Sequence, residues 1–234
     1  MDDASRLLGE AVGVDDFVTW TEWALARVGF RPSNCLALVD VCRDELMSGF
    51  QESVARVWGR PFEIGSLAAM VLVGTTGLRA ALSHVPGEDG RHRFVVFVFP
   101  HIGIDEGVIG RVQRRGLSRA STACGALAGF RDQLVAGEGD FGLDTDDVEQ
   151  SLLRMRLARL LPADGVPSLL ELTELVRRTA VADARRFVDL ARGSEPVDVA
   201  VVSGLVVHLP DEQDQVTLVD AEVRIEQQGI RLPH

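Results

Sequence analysis

The sequence predicts an α/β fold in which a sheet core is flanked by helices, and three observations support this class. Residues 36–41 and 94–99 are apolar runs of the length expected for strands buried on both faces. Segments with apolar residues at helical spacing alternate with these runs. Two β-rich runs near the end of the chain, residues 197–209 and 216–225, predict an antiparallel hairpin that completes or extends the sheet.

The individual elements follow from local patterns. In the first half, Asp15 and Asp16 can cap a helix whose apolar face includes Phe17 and Trp20. Residues 100–118 read as a turn and a loop rich in glycine and arginine, and Ser121-Thr122 is expected to open a helix of small residues. The helices expected elsewhere span about residues 15–29, 47–58, 66–83, 146–161 and 168–192.

The chain length favours one domain over residues 1–234. Its metal-site core is expected at about residues 35–135, and an extension of C-terminal helices and the β-hairpin at about 143–234. The net charge of −11 and the lack of a basic block argue against a nucleic-acid or membrane partner. No apolar run reaches the roughly 20 residues of a membrane span, and the acidic start does not resemble a secretory signal, so we expect a cytoplasmic protein.

Residue types that are absent exclude several chemistries. The sequence contains no lysine and no tyrosine. A phosphate-binding Walker lysine, a Schiff-base lysine and the Tyr/Lys pair of many reductases are therefore excluded, and no organic cofactor is expected. The three cysteines are an odd number, and in a reducing compartment cysteine more often binds metal or reacts than forms a disulfide.

Two of these cysteines and one histidine lie where strands or helices end or begin. Cys42 directly follows one predicted strand, His101 follows another, and Cys124 falls in the first turn of a predicted helix. The carboxyl edge of an open α/β sheet is where ligands bind, and a helix start favours a thiolate. Two thiolates and one imidazole suit a catalytic zinc ion, which keeps a fourth position open. The three residues are widely spaced along the chain, so by spacing alone a metal site is one of several possible roles for them.

Four ordered motifs then resemble one known family. They are VCRDEL at residues 41–46, TGL with AALSHVP at 76–86, PHIGI at 100–104 and STACGAL at 121–127. Together they resemble the limiting-CO₂-inducible B/C (LCIB/C) family, the θ-class carbonic anhydrases. This resemblance implies a sheet core similar to the β-class carbonic anhydrases, zinc held by Cys42, His101 and Cys124, an aspartate and arginine pair beside it, and a homodimer.

The aspartate of that pair falls on Asp44, and Arg43 is the first choice for the arginine. The β-class pattern has its arginine two positions after the aspartate, where this chain has Leu46. Neighbours on an extended strand point to opposite sides, so pairing Arg43 with Asp44 requires an immediate turn. The alternative is an arginine from elsewhere, and Arg114, Arg115 and Arg119 are the candidates.

The resemblance implies reversible hydration of carbon dioxide to bicarbonate, with a metal-bound hydroxide as nucleophile. Asp44 would orient the reacting water or, if its arginine is lost, occupy the open metal position. Two alternatives are kept. One is hydrolysis of a related heterocumulene such as carbonyl sulfide or carbon disulfide, and the other is a non-catalytic zinc subunit that binds inorganic carbon or a partner protein.

The remaining cysteine and histidines have simpler interpretations. Cys35 precedes an apolar strand and is expected to be a small buried structural thiol. His84 is the main competitor for a functional histidine, as a pocket-lining or proton-relaying group, and is otherwise structural. His92 and His208 have no cysteine or carboxylate partner at useful spacing, so no ligand role is expected for them.

Overall fold

The computed structural model describes residues 3–86, 90–162, 165–210 and 213–225, together with the backbone of 228–231. The helices are α1 Asp3–Leu8, α2 Val14–Ala26, α3 Ser48–Trp58, α4 Gly74–Leu82, α5 Gly125–Val135, α6 Val148–Ala158 and α7 Leu169–Arg192. The strands are β1 Val12–Gly13, β2 Leu36–Val41, β3 Phe62–Glu63, β4 His92–Phe99, β5 His101–Asp105, β6 Val108–Ile109, β7 Arg111–Val112, β8 Ser121–Thr122, β9 Val197–His208, β10 Gln215–Ile225 and β11 Gln228–Arg231.

The described strands other than β7 and β8 form one mixed sheet. Its main order is β1-β10-β9-β4-β2-β3. Strands β9, β4, β2 and β3 are parallel to one another, β10 is antiparallel to β9, and β1 is antiparallel to β10. After Pro100 the chain continues as β5, which also pairs with β9 in parallel. The predicted α/β class is confirmed. The predicted hairpin is confirmed as β9 and β10, and β9 lies beside β4, so both halves of the chain contribute to the parallel region.

Helices cover both faces of this sheet because its central strands are apolar on both sides. Along β4, Val95, Phe97 and Phe99 join one core cluster with α2, α3, α5 and α6, whereas Phe94, Val96 and Val98 join another with α4 and α7. This alternation is the two-residue period of a strand. The apolar residues predicted to form the core are therefore divided between two layers.

Aromatic packing holds α2 and α3 against the end of β4 that leads to His101. Phe99 lies 5.3 Å from Phe17 of α2 and 4.7 Å from Phe50 of α3, measured between ring centroids. Both distances are within the range of favourable aromatic pairs. The strand ends that carry the candidate site therefore rest on a rigid support.

Three predicted segments differ from the structure. Residues 66–83 form a helix only from Gly74, because Ala68 and Ala69 adopt positive φ values of 56° and 62° that interrupt a helix. Ser121 and Thr122 form β8, paired with β7, and helix α5 begins at Gly125 with Cys124 as its N-cap. The predicted loop at 100–118 also contains three strands, because β5 pairs with β9, β6 pairs with β5, and β7 pairs with β8.

Candidate metal centre

The fold brings Cys42, His101 and Cys124 together. Cys42 directly follows β2, His101 is the first residue of β5, and Cys124 caps α5. All three side chains are buried, and one potential ligand atom from each lies within 4.8 Å of the others. The parallel arrangement of β2, β4 and β9 produces this convergence, because neighbouring parallel strands end at the same edge.

The two cysteines behave as a coupled pair. Their sulfur atoms are 3.6 Å apart. The hydrogen bond from Cys124 is the largest effect that lowers the pKa of Cys42, to about 4, against the effect of burial, and His101 contributes further. The same contact, with burial, raises the pKa of Cys124. These opposite shifts favour one shared proton between the two sulfurs, and the negative charge that remains would attract a cation.

A strained turn supplies a further donor to Cys42. The backbone N–H of Ala68 donates to Cys42 Sγ at 3.1 Å. Ala68 and Ala69 both have left-handed φ values, which are unusual for residues other than glycine. Strain of this kind concentrates at functional sites, where the surrounding structure must hold it. Here the turn aims an amide at the sulfur of a candidate ligand.

The residues present fit a zinc ion. Two sulfurs bound to a tetrahedral zinc at about 2.3 Å lie about 3.8 Å apart, close to the spacing of Cys42 and Cys124. His101 Nε2 is buried and has no hydrogen-bond partner among the described residues, which is costly unless another group uses its lone pair. Two soft sulfurs and one imidazole nitrogen also form a donor set that suits zinc.

The arginine beside Asp44 is Arg114, and the predicted pairing with Arg43 is wrong. Arg114 Nη2 donates to both carboxylate oxygens of Asp44, at 2.9 and 2.7 Å. Arg43 instead pairs with Glu149 at 2.9 Å. The chain does turn after Cys42, but the side chains of Arg43 and Asp44 still point to different partners. Arg114 is one of the three alternative arginines that the sequence offers.

Asp44 is held as a carboxylate next to the three candidate ligands. Burial alone would raise its pKa, but hydrogen bonds from Arg114 and from the Leu46 amide outweigh this and lower the pKa below its ordinary value. Asp44 Oδ2 lies 4.0 Å from His101 Nε2. A fixed anionic acceptor is therefore within reach of any group that binds between the three ligands.

Arg114 also joins two segments of the site. Besides Asp44, it donates to Glu45 Oε1 at 2.7 Å, to Ser121 Oγ at 2.6 Å and to the Thr122 carbonyl at 2.8 Å. These contacts connect the turn after β2 with β8, which leads to Cys124. The fork of donors on a guanidinium allows one side chain to make all of them.

A cavity of about 200 Å³ opens beside this cluster. Its lining includes Cys42 and Asp44, and not His101 or Cys124. A larger cavity of about 720 Å³ lies around Phe17, Trp20 and Arg177, away from the candidate ligands. Size alone would favour the larger cavity as the functional site, but the candidate ligands and Asp44 lie beside the smaller one. A site this small suits a small substrate, because cavities for drug-sized ligands are typically about 300–1,000 Å³.

The other cysteine and histidines occupy different places. Cys35 is buried at the opposite end of β2, and His84 is exposed near Phe62 and does not line the small cavity. His208 is a residue of this site that the sequence pattern did not reveal. It was said to lack a carboxylate partner, yet it is buried, contacts His101 at 3.0 Å and bonds Asp214 at 2.8 Å. Its position at the end of an apolar strand is the signal that could have revealed it.

Comparisons with known proteins agree with this arrangement. The family described as limiting CO2-inducible proteins B/C beta carbonic anhydrases matches residues 11–224. The chain belongs to this family. It is similar to the crystal structure of the limiting CO2-inducible protein LCIB, with 27% identity, a TM-score of 0.78, and coverage of 100% of this chain and 99% of that chain. No match was found among curated proteins.

A second member of the LCIB group shares the fold. The LCIB homologue PtLCIB4 is 22% identical with a TM-score of 0.81, covering 99% of this chain and 98% of that chain. A β-carbonic anhydrase from Sordaria macrospora has a TM-score of 0.41 at 14% identity, covering 82% of this chain and 89% of that chain. The LCIB/C resemblance carried by the four motifs is confirmed. The matched range includes all candidate ligands, Asp44 and Arg114.

Proposed function

We propose that this LCIB/C family protein is a zinc carbonic anhydrase that interconverts carbon dioxide and bicarbonate. Cys42, His101 and Cys124 would hold the metal. Zinc supplies Lewis acidity there, lowering the pKa of water so that a nucleophile is available near neutral pH. The observation that carries the proposal is the convergence of these three buried side chains, with the His101 Nε2 lone pair directed at no protein donor among the described residues.

Asp44 orients the reacting water in this proposal. An ionised carboxylate can only accept hydrogen bonds, so it fixes the direction of a water hydrogen and leaves a lone pair for attack. Its position 4.0 Å from His101 Nε2 places it at the edge of the site. Arg114 keeps both carboxylate oxygens engaged, which opposes direct binding of Asp44 to the cation.

The chain also excludes bulk water and larger molecules. His101 and Cys124 are 0% and 2% exposed, and access is through the small cavity beside Cys42 and Asp44. Val39 and Val41 lie in its lining, but most of the lining is polar or charged, so the small size of the cavity is what favours a small substrate. Two thiolate ligands would neutralise the charge of zinc and weaken its effect on water, so hydration activity should increase as the pH rises above neutrality.

The test combines metal analysis with a stopped-flow hydration assay on the purified chain. We expect about one zinc per chain and carbon dioxide hydration that increases with pH. A zinc-loaded chain without hydration activity would favour the non-catalytic subunit. Faster turnover of carbonyl sulfide or carbon disulfide in the same assay would favour the heterocumulene alternative. A chain purified without zinc, and unable to bind it, would end the proposal.

We further propose that the protein is a cytoplasmic homodimer, following the family resemblance and the high apolar content. Trp20 and Trp23 of α2 are 37% and 60% exposed, and such side chains are often covered in an assembly. Light scattering should give twice the chain mass of 25.4 kDa. The monomer mass at all workable concentrations would contradict the dimer. Among the described residues, no helix has the length and apolar character needed to cross a bilayer.

We propose that residues 1–234 fold as one domain. The parallel pairing of β4 with β9 joins the two halves of the chain through a run of registered residues from His92 and Val197 onwards. Neither half can complete the central sheet alone. Calorimetry should therefore show one cooperative transition, and two separated transitions would indicate two domains.

A further inference from the structure

A second buried histidine lies directly behind His101. His101 Nδ1 and His208 Nε2 are 3.0 Å apart, and the two side chains are 0% and 1% exposed. The rings are nearly perpendicular, at 75°. The pairing of β5 with β9 creates this contact, because His101 lies opposite Val206 and His208 follows two residues later on β9. The contact leaves His101 Nε2 facing the two cysteines.

A carboxylate completes the chain of contacts. His208 Nδ1 lies 2.8 Å from Asp214 Oδ1, and the Asp214 side chain is 26% exposed. The Asp214 carbonyl accepts from the Val14 amide at 3.1 Å, which fixes this segment to the start of α2. The series His101, His208 and Asp214 therefore runs from the candidate metal centre towards the surface.

The donor and acceptor roles along this series follow from its last member. An ionised carboxylate only accepts, so His208 must carry its proton on Nδ1 and donate it to Asp214. In a neutral imidazole the other nitrogen is then an acceptor, so His208 Nε2 accepts from His101 Nδ1–H. His101 Nε2 is left without a proton. This is the tautomer that an imidazole needs to bind a metal through Nε2.

We infer that His208 and Asp214 are positioning residues that fix the tautomer and ring orientation of His101 for metal binding. The inference rests on the proposed zinc site. His208 touches neither the substrate nor the metal, and acts only through His101. Loss of such an outer partner typically weakens metal affinity by about 10- to 100-fold.

The matched variants are His208→Leu, which removes the acceptor, and His208→Gln, whose side-chain amide can replace it. His92→Leu is the control, because His92 also pairs with a carboxylate, Glu195 at 3.1 Å, but lies at the other end of the parallel strands. Zinc affinity is measured on the zinc-loaded proteins by competition with a chromogenic chelator. Circular dichroism shows which variants are folded.

We expect His208→Leu to bind zinc about 10- to 100-fold more weakly, His208→Gln to recover most of that loss, and His92→Leu to match the wild type. Asp214→Asn should give a smaller loss, because an amide can still accept from His208 but no longer forces one tautomer. Nitrogen-15 NMR of the zinc-loaded wild type should show His208 protonated on Nδ1 only.

Several results would overturn the inference. They are equal zinc affinity in a folded His208→Leu variant, an equal loss in His208→Gln and His208→Leu, or a wild-type His208 protonated on Nε2. If His208→Leu does not fold, the Gln variant and the NMR measurement still decide. A wild type that binds no zinc refutes the proposed function and this inference together, whereas normal wild-type binding with unaffected variants refutes only the inference.

Discussion

Strand β2 has a buried cysteine at each end, and the two differ in what surrounds them. Cys35 precedes the strand and Cys42 follows it, and each is 4% exposed. Burial raises the pKa of Cys35 to about 12, whereas the hydrogen bond from Cys124 and the neighbouring His101 lower the pKa of Cys42 to about 4 despite burial. Burial by itself therefore suppresses a thiolate. At Cys35 the backbone hydrogen bond from Arg31 does not outweigh burial, whereas at Cys42 the lowering contributions do.

The largest expected effect is the loss of zinc when a ligand is removed. Cys42→Ser, His101→Ala and Cys124→Ser should each reduce zinc from about one per chain to near zero, because two remaining ligands form an incomplete site. Hydration activity should fall to background with the metal. Plasma emission spectroscopy and the hydration assay measure the two effects. Cys35→Ser is the matched control and should retain both, and full zinc in all three ligand variants would refute the site.

The next largest effect concerns Asp44 and Arg114. Asp44→Asn and Arg114→Ala should keep zinc and lose about 10²- to 10⁴-fold in hydration rate, the range typical of a positioned acid or base. In the first variant the acceptor is weaker, and in the second Asp44 is freed to bind the cation. Stopped-flow rates from pH 7 to 9 measure the loss. An unchanged rate in Asp44→Asn would exclude a direct role for this carboxylate.

Arg43→Ala provides the contrast, because Arg43 pairs with Glu149 on the surface. An exposed ion pair contributes about 0–1 kcal/mol, so stability and activity should change little. Equal damage from Arg43→Ala and Arg114→Ala would show that the pairing seen here is not the one that matters for the reaction.

A smaller effect is the pH dependence of the free energy of unfolding of the chelator-treated chain. The folded pKa of Cys42, about 4, lies below the ordinary thiol value of 9.0. Between these values the unfolded chain binds a proton that the folded chain does not, so the stability from this group increases with pH and is lost as the pH falls towards 4. Urea unfolding of wild type and Cys42→Ser should show a difference that grows from pH 5 to pH 8. A constant difference would contradict the lowered pKa.

A small effect is also expected at the other end of β2. Cys35→Ala removes only a buried sulfur and should lower the free energy of unfolding by about 1 kcal/mol, the average for a point substitution. Zinc content and thiolate absorbance should not change. Urea unfolding and ultraviolet difference spectra measure these quantities. A loss of zinc in Cys35→Ala would show that the two ends of the strand are not independent.

The sequence was sufficient to mark two of the candidate ligands because apolar strands mark their own ends. Cys42 and His101 were found in this way, and the same rule applies to His208 at the end of β9. His208 was missed because β9 was considered only as part of a hairpin with β10. The parallel pairing of β9 with β4 joins residues far apart in the sequence, so local patterns do not reveal it. Arg114 could not be distinguished from Arg115 and Arg119, since its contact with Asp44 spans 70 residues.

The four motifs gave what local patterns could not, namely the family and the grouping of the three ligands. The turn at Ala68 and Ala69 could not be predicted, because two alanines with positive φ contradict local preference. They adopt this conformation where the surrounding sheet and the Cys42 sulfur hold them. Local propensity therefore failed at the place where the candidate site imposes its own geometry.

The candidate ligands are far apart along the chain, so metal binding at the proposed site would depend on folding. Cys42 and Cys124 are separated by 82 residues, and His101 lies between them in the sequence. An unfolded chain does not hold such a set together, so zinc at the proposed site would bind mainly the folded state. By mass action, zinc at 100 times its dissociation constant would add about 2.7 kcal/mol to the folding equilibrium. Under the proposed function, removal of zinc would therefore lower the free energy of unfolding of the chain.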